Sequence, residues 1–234
     1  MACRRLLLVF GARAELLALR MVLDGRLFNL SPIFANSSFS LILTGGRSVR
    51  MGRPKGELSG LDPSTSNSER LVSISRELGL VTVEVGEAIT SAQIKVDDTA
   101  RKGPLSAIVY GLRSIGDLGS IDRVIVLGCD LYLLSKEALR AFVDFSVDKT
   151  VVIMVGGVEN WSIICLKASD LSRIFTLFDQ GERRLSGVFL GLDGLCRVSP
   201  ADLGDFPEET FADVDTNEEY LQRFPPPTRH SSDS

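Results

Sequence analysis

The chain has 234 residues, enough for one α/β domain and little more. Its 26 Lys and Arg residues against 30 Asp and Glu residues give a formal net charge of −4, which argues against a partner such as nucleic acid or an anionic membrane surface. Four cysteines without a CxxC pair exclude a zinc ribbon and a disulfide-stapled scaffold, and the 1 histidine lies in a polar tail, which excludes His-based triads. We therefore expect a cytoplasmic protein whose chemistry depends on carboxylates, Lys, Arg and backbone groups.

Both ends of the chain have the composition of accessory segments. Residues 1–38 combine a short apolar run, interrupted by Arg13 and Glu15, with a Ser/Pro/Asn loop, which predicts a weakly structured or non-essential extension rather than a signal peptide. No run approaches the ~20 uncharged apolar residues of a membrane span, so no membrane partner is expected. Residues 224–234 are rich in Pro and polar residues and predict a disordered tail.

Between these ends, short apolar runs alternate with patterns of helical period. Capping-box spacing at Ser66/Glu69 and Thr216/Glu219, and Pro104 in a first-turn position, mark three helix starts. In chain order, strands are predicted at 39–43, 80–85, 94–96, 123–127, 150–155, 161–166 and 195–199, and helices at 67–78, 104–115, 136–145, 170–178, 183–191 and from 217.

This alternation is typical of a mostly parallel sheet with helices on both faces. Ligands of such sheets bind beyond the carboxyl ends of the strands. The rule makes the loops after Leu43, Val96 and Leu127 the places where a site is expected.

The loop after the first predicted core strand concentrates glycines and cations. Residues 43–55 have the sequence LTGGRSVRMGRPK. Gly45 and Gly46 allow close approach of backbone N–H groups to phosphate oxygens, and Arg50, Arg53 and Lys55 can neutralise a triphosphate. The spacing matches neither GxGxxG nor a Walker A motif. A solvated basic turn is the alternative interpretation, but the position after a core strand favours phosphate binding.

The same loop resembles the nucleotide-binding loop of the molybdenum cofactor guanylyltransferase family. Four further segments occur in the family's order: GPLSAI at 103–108, GCD at 128–130, GERR at 181–184 and FADVDTNEEY at 211–220. Together the matches cover residues 39–223, which we take as the domain. The resemblance implies a three-layer, Rossmann-like nucleotidyltransferase fold with a mostly parallel sheet.

The resemblance also implies roles for individual residues. Asp130 would bind Mg²⁺, a hard cation that takes one or two carboxylates and completes its shell with water and phosphate oxygens. Lys55, Arg50 and Asp130 would be the catalytic residues. Asp98 would help to hold the nucleotide, and its neighbour Asp97 is the alternative for that role. The implied nucleotide-binding residues are Leu43, Thr44, Gly45, Gly46, Lys55, Asp98 and Asp130.

The reaction implied is transfer of GMP from GTP to the terminal phosphate of molybdopterin, with release of pyrophosphate. In-line positioning, Mg²⁺ and cationic side chains perform such chemistry without a protein nucleophile, so Cys129 is expected to be a buried thiol. The implied partners are GTP and a molybdopterin-type molecule, with transient contact to molybdoenzymes or other proteins of cofactor biosynthesis. Arg183 or Arg184 would meet the pterin phosphate.

Several positions depart from the family's pattern. A Pro-Lys pair at 54–55 is commoner in cytidylyltransferases acting on the same pterin, so CTP or another phosphorylated acceptor is an alternative. Negative charge at Asp213 and Asp215, in place of two asparagines, disfavours a phosphorylated acceptor. A non-catalytic nucleotide-binding protein with a drifted acceptor site is therefore a second alternative. The departures are Pro54, Ser106, Tyr132, Asn160, Trp161, Asp213 and Asp215.

Overall fold

The structure, a computed structural model, describes residues 37–45, 54–98, 102–116 and 121–225, together with the backbone of three short strands before them. These three strands form an antiparallel sheet in the order β1-β2-β3. Their bounds are β1 (Leu6–Leu7), β2 (Arg20–Leu23) and β3 (Arg26–Asn29).

The main sheet has seven strands in the order β10-β8-β9-β7-β4-β5-β6. Only β9 runs antiparallel to its neighbours, β7 and β8, and the other adjacent pairs are parallel. The prediction of a mostly parallel sheet is therefore confirmed. The strands are β4 (Ser37–Leu43), β5 (Val81–Gly86), β6 (Ile94–Asp97), β7 (Ile121–Gly128), β8 (Val151–Val155), β9 (Val158–Lys167) and β10 (Cys196–Val198).

The predicted helices are present, with α5 shorter than expected. The sequence pattern did not predict α6, nor the short 3-10 turns at Lys55–Glu57 and Glu208–Thr210. The helices are α1 (Asn67–Glu77), α2 (Pro104–Ile115), α3 (Lys136–Phe145), α4 (Ala168–Asp179), α5 (Leu185–Phe189), α6 (Pro200–Leu203) and α7 (Asn217–Arg223). No helix in these described ranges is long and apolar enough to cross a membrane.

Each face of the main sheet buries its own hydrophobic core, because successive side chains of a strand point to opposite faces. Leu41 and Val126 pack with α2, α4 and α5 on one face. Ile42 and Ile125 pack with α1 and α3 on the other. The result is the expected three-layer arrangement, with helices on both sides of the sheet.

The two predicted capping boxes have different outcomes. At α7, Thr216 Oγ1 accepts the N–H of Glu219 and the Glu219 carboxylate accepts the N–H of Thr216, so the box is complete. At α1, Ser66 Oγ accepts the N–H of Glu69. The Glu69 carboxylate instead accepts the N–H and hydroxyl of Ser91. A tertiary contact has therefore replaced half of the local motif.

Candidate active site

Four strands of the main sheet end at the same edge. Leu43, at the end of β4, lies opposite Val85 on one side and Gly128 on the other. Gly86 lies opposite Asp97 in the next pair. Parallel strands in this register bring their carboxyl ends together. The loops after Leu43, Val96 and Leu127 thus meet at one edge, as the topology rule predicts.

Lys55 and Asp130 meet at this edge from two different strand-end loops. Lys55 Nζ donates to Asp130 Oδ2 at 3.2 Å and to Asp215 Oδ1 at 2.8 Å. The Lys55 side chain is only 15% exposed. Burial alone would lower its pKa, but the charges and hydrogen bonds of Asp130 and Asp215 outweigh burial and raise the pKa. Lys55 therefore stays protonated, the state in which it can pair with a phosphate group.

Three carboxylates surround this lysine. Oxygen atoms of Asp130, Asp213 and Asp215 all lie within 4.8 Å of one another. Desolvation, followed by the charges of Asp130 and Asp215, raises the pKa of Asp213. Within the described ranges, Asp130 Oδ1 is buried and accepts no hydrogen bond. Carboxylate oxygens, one of them buried and unsatisfied, are the donors that a hard divalent cation prefers, so these residues fit Mg²⁺.

A cavity of about 530 Å³ opens at the same edge of the sheet, beyond the ends of β4, β5 and β6. Asp98 is largely buried, whereas Asp97 is exposed, and both contribute to the cavity wall. Leu43 packs on the core below, and the buried Thr44 side chain turns towards β5. The lining residues are Gly45, Gly86, Glu87, Ala88, Asp97 and Asp98.

Sequence reasoning missed Glu84, a fully buried carboxylate in β5 beneath this cavity. It accepts hydrogen bonds from the Thr44 hydroxyl, from the Thr90 hydroxyl and N–H, and from the N–H of Ile89. Burial alone would raise the pKa of Glu84, but the hydrogen bonds from Thr90, Ile89 and Thr44 outweigh it and lower the pKa. The sequence did contain a signal for Glu84, because it is the single charged residue of an apolar strand. A carboxylate buried in a sheet requires hydrogen-bond partners.

Two α1 side chains support the loop that carries Asp130, and these were also missed. The Arg70 guanidinium donates to the carbonyl groups of Leu131 and Leu134, and Asn67 Nδ2 donates to the carbonyl of Cys129. Burial lowers the pKa of Arg70 to about 10. These donors satisfy carbonyl groups on both sides of Asp130 and hold its loop from beneath.

Tyr132, one of the residues that depart from the expected pattern, has a structural role at this site. Its ring is fully buried, and its hydroxyl donates to the carbonyl of Lys55 at 2.9 Å. The ring packs edge-on against Tyr220 and Phe224. Tyr220 in turn donates to the carbonyl of Ser59 at 3.0 Å. This aromatic cluster joins the segments that carry Lys55, Asp130 and Asp215.

Three residues predicted for phosphate binding, Gly46, Arg50 and Arg53, lie outside the described residues. Arg183 closes the end of α4, because its guanidinium donates to the carbonyl of Phe178 and lies over that ring at 4.3 Å from the centroid.

Cys129 is buried and free, and burial raises the pKa of its thiol. A protonated, buried thiol agrees with the expectation that Cys129 is not a nucleophile.

Comparison with known proteins places this geometry in a family. The family model described as MobA-like NTP transferase domain matches residues 40–191. Proteins named "Probable molybdenum cofactor guanylyltransferase" from Mycobacterium bovis and Mycobacterium tuberculosis are 28% identical over 172 residues, covering 69% of this chain and 83% of theirs.

Solved structures share the fold at lower identity. Molybdopterin-guanine dinucleotide biosynthesis protein A from Archaeoglobus fulgidus matches with a TM-score of 0.59 and 15% identity, covering 79% of this chain and 95% of that chain. The 4-diphosphocytidyl-2C-methyl-D-erythritolsynthase from Anaerococcus prevotii matches with a TM-score of 0.53 and 13% identity, covering 80% of this chain and 99% of that chain.

These likenesses confirm the Rossmann-like nucleotidyltransferase fold expected from the sequence. The family match extends over more than half of the chain, including β4 and the Lys55 and Asp130 loops. The chain therefore belongs to the MobA-like NTP transferase domain family and is a nucleotidyltransferase.

Proposed function

We propose that this protein transfers GMP from GTP to the terminal phosphate of molybdopterin and releases pyrophosphate, in a Mg²⁺-dependent reaction. The observation that supports this most directly is the contact between Lys55 and Asp130 at the edge of the sheet where the cavity also opens. The choice of GTP as the nucleotide and of molybdopterin as the acceptor follows from the names of the curated relatives. Residues 39–223 form the catalytic domain of this proposal, with 1–38 and 224–234 as accessory segments.

The nucleotide would occupy the cavity beyond β4, β5 and β6. Base and ribose would lie along residues 43–46, of which Gly45 is in the cavity wall next to Asp98. The triphosphate would then reach Lys55, which pairs with Asp130 and Asp215, and Arg50 would add positive charge.

Asp130 would hold Mg²⁺, and Asp213 and Asp215 are close enough to contribute oxygen ligands directly or through water. When bound, Mg²⁺ neutralises charge on the phosphates and on the departing pyrophosphate. Lys55 exchanges its carboxylate partners for phosphate oxygens and stabilises the charge that develops in the transition state. The loop backbone orients the α-phosphorus for in-line attack by the acceptor phosphate, which is already a nucleophile.

A second candidate is a non-catalytic nucleotide-binding protein with a drifted acceptor site. It is favoured by the carboxylates of Asp213 and Asp215 beside Asp130, because their negative charge disfavours a phosphorylated acceptor. The first proposal also includes a cytoplasmic location. It includes transient contacts with molybdoenzymes or other proteins of cofactor biosynthesis.

The test is pyrophosphate release by the full chain with Mg²⁺ and each of GTP, CTP, ATP and UTP, with and without molybdopterin. We expect turnover with GTP and molybdopterin, and its loss on addition of EDTA. Asp130→Ala and Lys55→Ala should each reduce turnover at least about 100-fold, whereas Lys136→Ala, which breaks an exposed ion pair with Glu77, should leave it unchanged. Turnover with CTP and none with GTP would contradict the choice of base. GTP binding without turnover on molybdopterin would contradict the acceptor.

A further inference from the structure

Glu84 joins the two loops that form the walls of the cavity. It lies in β5 opposite Ile42 of β4, and its side chain is fully buried. We propose that Glu84 is a positioning residue for the nucleotide: it fixes both walls of the cavity without contacting the nucleotide itself. The inference rests on the proposed function, because it assumes that this cavity takes the base and ribose.

The first wall is held through Thr44. The Thr44 hydroxyl donates to Glu84 Oε1 at 2.9 Å and accepts the N–H of Glu87 at 3.1 Å. The two loops are in direct contact here, since a Cβ atom on Gly86 would come within 2.2 Å of Gly45 N. The Thr44 hydroxyl therefore transmits the position of Glu84 to the start of the glycine loop and to Glu87.

The second wall is held by the next residues of the chain. Glu84 Oε1 accepts the N–H of Ile89 at 2.9 Å, and Oε2 accepts the N–H and hydroxyl of Thr90 at 3.0 and 2.6 Å. Directly before Ile89, Ala88 has a φ of 56° and its carbonyl accepts a hydrogen bond from Lys95 Nζ. A non-glycine residue in this region is strained, so the loop needs the surrounding hydrogen bonds to keep its shape.

All four groups that contact Glu84 are donors, and each carboxylate oxygen accepts two of them. An ionised carboxylate satisfies this arrangement, because it only accepts. A glutamine has the same size but would present an NH₂ group to two of the donors. Since both oxygens are occupied by the protein, Glu84 acts on the nucleotide through Thr44 and through residues 86–90.

The test compares Glu84→Gln with Asp170→Asn in the full chain. Asp170 is a matched control, because it is a mostly buried carboxylate that accepts the Thr150 hydroxyl at 2.6 Å at the opposite edge of the sheet. A fluorescent GTP analogue is titrated into each variant, and urea unfolding measures stability. Glu84→Gln should weaken binding about tenfold with an unchanged number of sites, whereas Asp170→Asn should leave affinity within about twofold.

Steady-state kinetics separates positioning from loss of folded protein. Glu84→Gln should raise KM for the nucleotide while kcat stays within about twofold, because the cavity walls contribute binding that is equal in the ground state and the transition state. A general loss of structure would lower the number of sites and kcat instead. Thr90→Val, which removes one of the four donors, is a milder variant expected to weaken binding about threefold.

The proposal is overturned if folded Glu84→Gln binds the analogue as tightly as the wild type, or if Asp170→Asn loses affinity to the same extent. The wild type is first titrated with GTP, CTP, ATP and UTP. If another nucleotide binds more tightly than GTP, the choice of GTP is wrong, and the variants are then compared with that nucleotide. The outcome for Glu84 is thus read separately from the outcome for GTP.

Discussion

Lys55 and Asp215 are 160 positions apart in the chain, yet Lys55 Nζ lies 2.8 Å from Asp215 Oδ1. The same ammonium group lies 3.2 Å from Asp130 Oδ2. One lysine therefore connects the glycine loop, the end of the central strand β7 and the segment before α7. A triphosphate that recruits Lys55 must compete with both carboxylates.

In the absence of Mg²⁺, where Asp215 cannot act as a metal ligand, Asp215→Asn should strengthen GTP binding by about two- to fivefold, because it removes a carboxylate that competes with phosphate for Lys55 and lowers the local negative charge. Titration with a fluorescent GTP analogue at low and high salt measures the effect, which should shrink at high salt. Asp179→Asn is the control, since Asp179 pairs with Arg113 on an exposed helix surface. Weaker binding by Asp215→Asn would show that Asp215 assists the nucleotide rather than competing with it.

Tyr132→Phe and Tyr220→Phe form a matched pair, because each removes one hydroxyl that donates to a backbone carbonyl. Each should cost about 1 kcal/mol in the free energy of unfolding, measured with urea. Only Tyr132→Phe releases the backbone of Lys55 itself, so it should reduce kcat several-fold more than Tyr220→Phe does. Equal effects of the two variants on kcat would contradict this assignment of Tyr132.

Gly86→Ala should destabilise the protein by more than about 2 kcal/mol and abolish nucleotide binding. Gly86 has a φ of 140°, and a Cβ atom there would meet the backbone of Gly45 at 2.2 Å. The control is Gly79→Ala, where φ is 79° but nothing lies within 4 Å of the added Cβ. It should cost only the conformational strain, about 1 kcal/mol, and leave binding intact. Urea unfolding and titration of the same samples distinguish the two effects.

The contribution of Glu84 to the free energy of unfolding should decrease at acidic pH. Its pKa is lowered in the folded protein, so the ionised form is favoured by folding. The contribution is fully present above the unfolded pKa of about 4.3 and is lost as pH falls through the lower, folded pKa. The difference in free energy of unfolding between wild type and Glu84→Gln should therefore be constant near neutral pH and shrink below about pH 4. If this difference instead increased at acidic pH, the pKa of Glu84 would be raised on folding, which would contradict the hydrogen bonds that stabilise its ionised form.

The sequence by itself determined the elements and their order at the functional edge. Apolar runs such as residues 39–43 and 123–127 identified buried strands, and the caps at Ser66 and Thr216 located helix starts. These features depend on neighbours within a few residues, so they can be read locally. The rule that parallel strands present ligands at their carboxyl ends then placed Lys55 and Asp130 at a common edge.

Only the tertiary structure decided which polar groups contact one another there. Glu84 accepts a hydrogen bond from Thr44, and Glu69 accepts one from Ser91 instead of completing its capping box. Tyr132 donates to the carbonyl of Lys55. All three contacts form through packing between segments that are distant in the chain. Such contacts depend on the register of the sheet and on side-chain direction, and local propensity carries neither. For the same reason, the sequence placed Lys55 near a phosphate but left its contacts with Asp130 and Asp215 to be found in the folded chain.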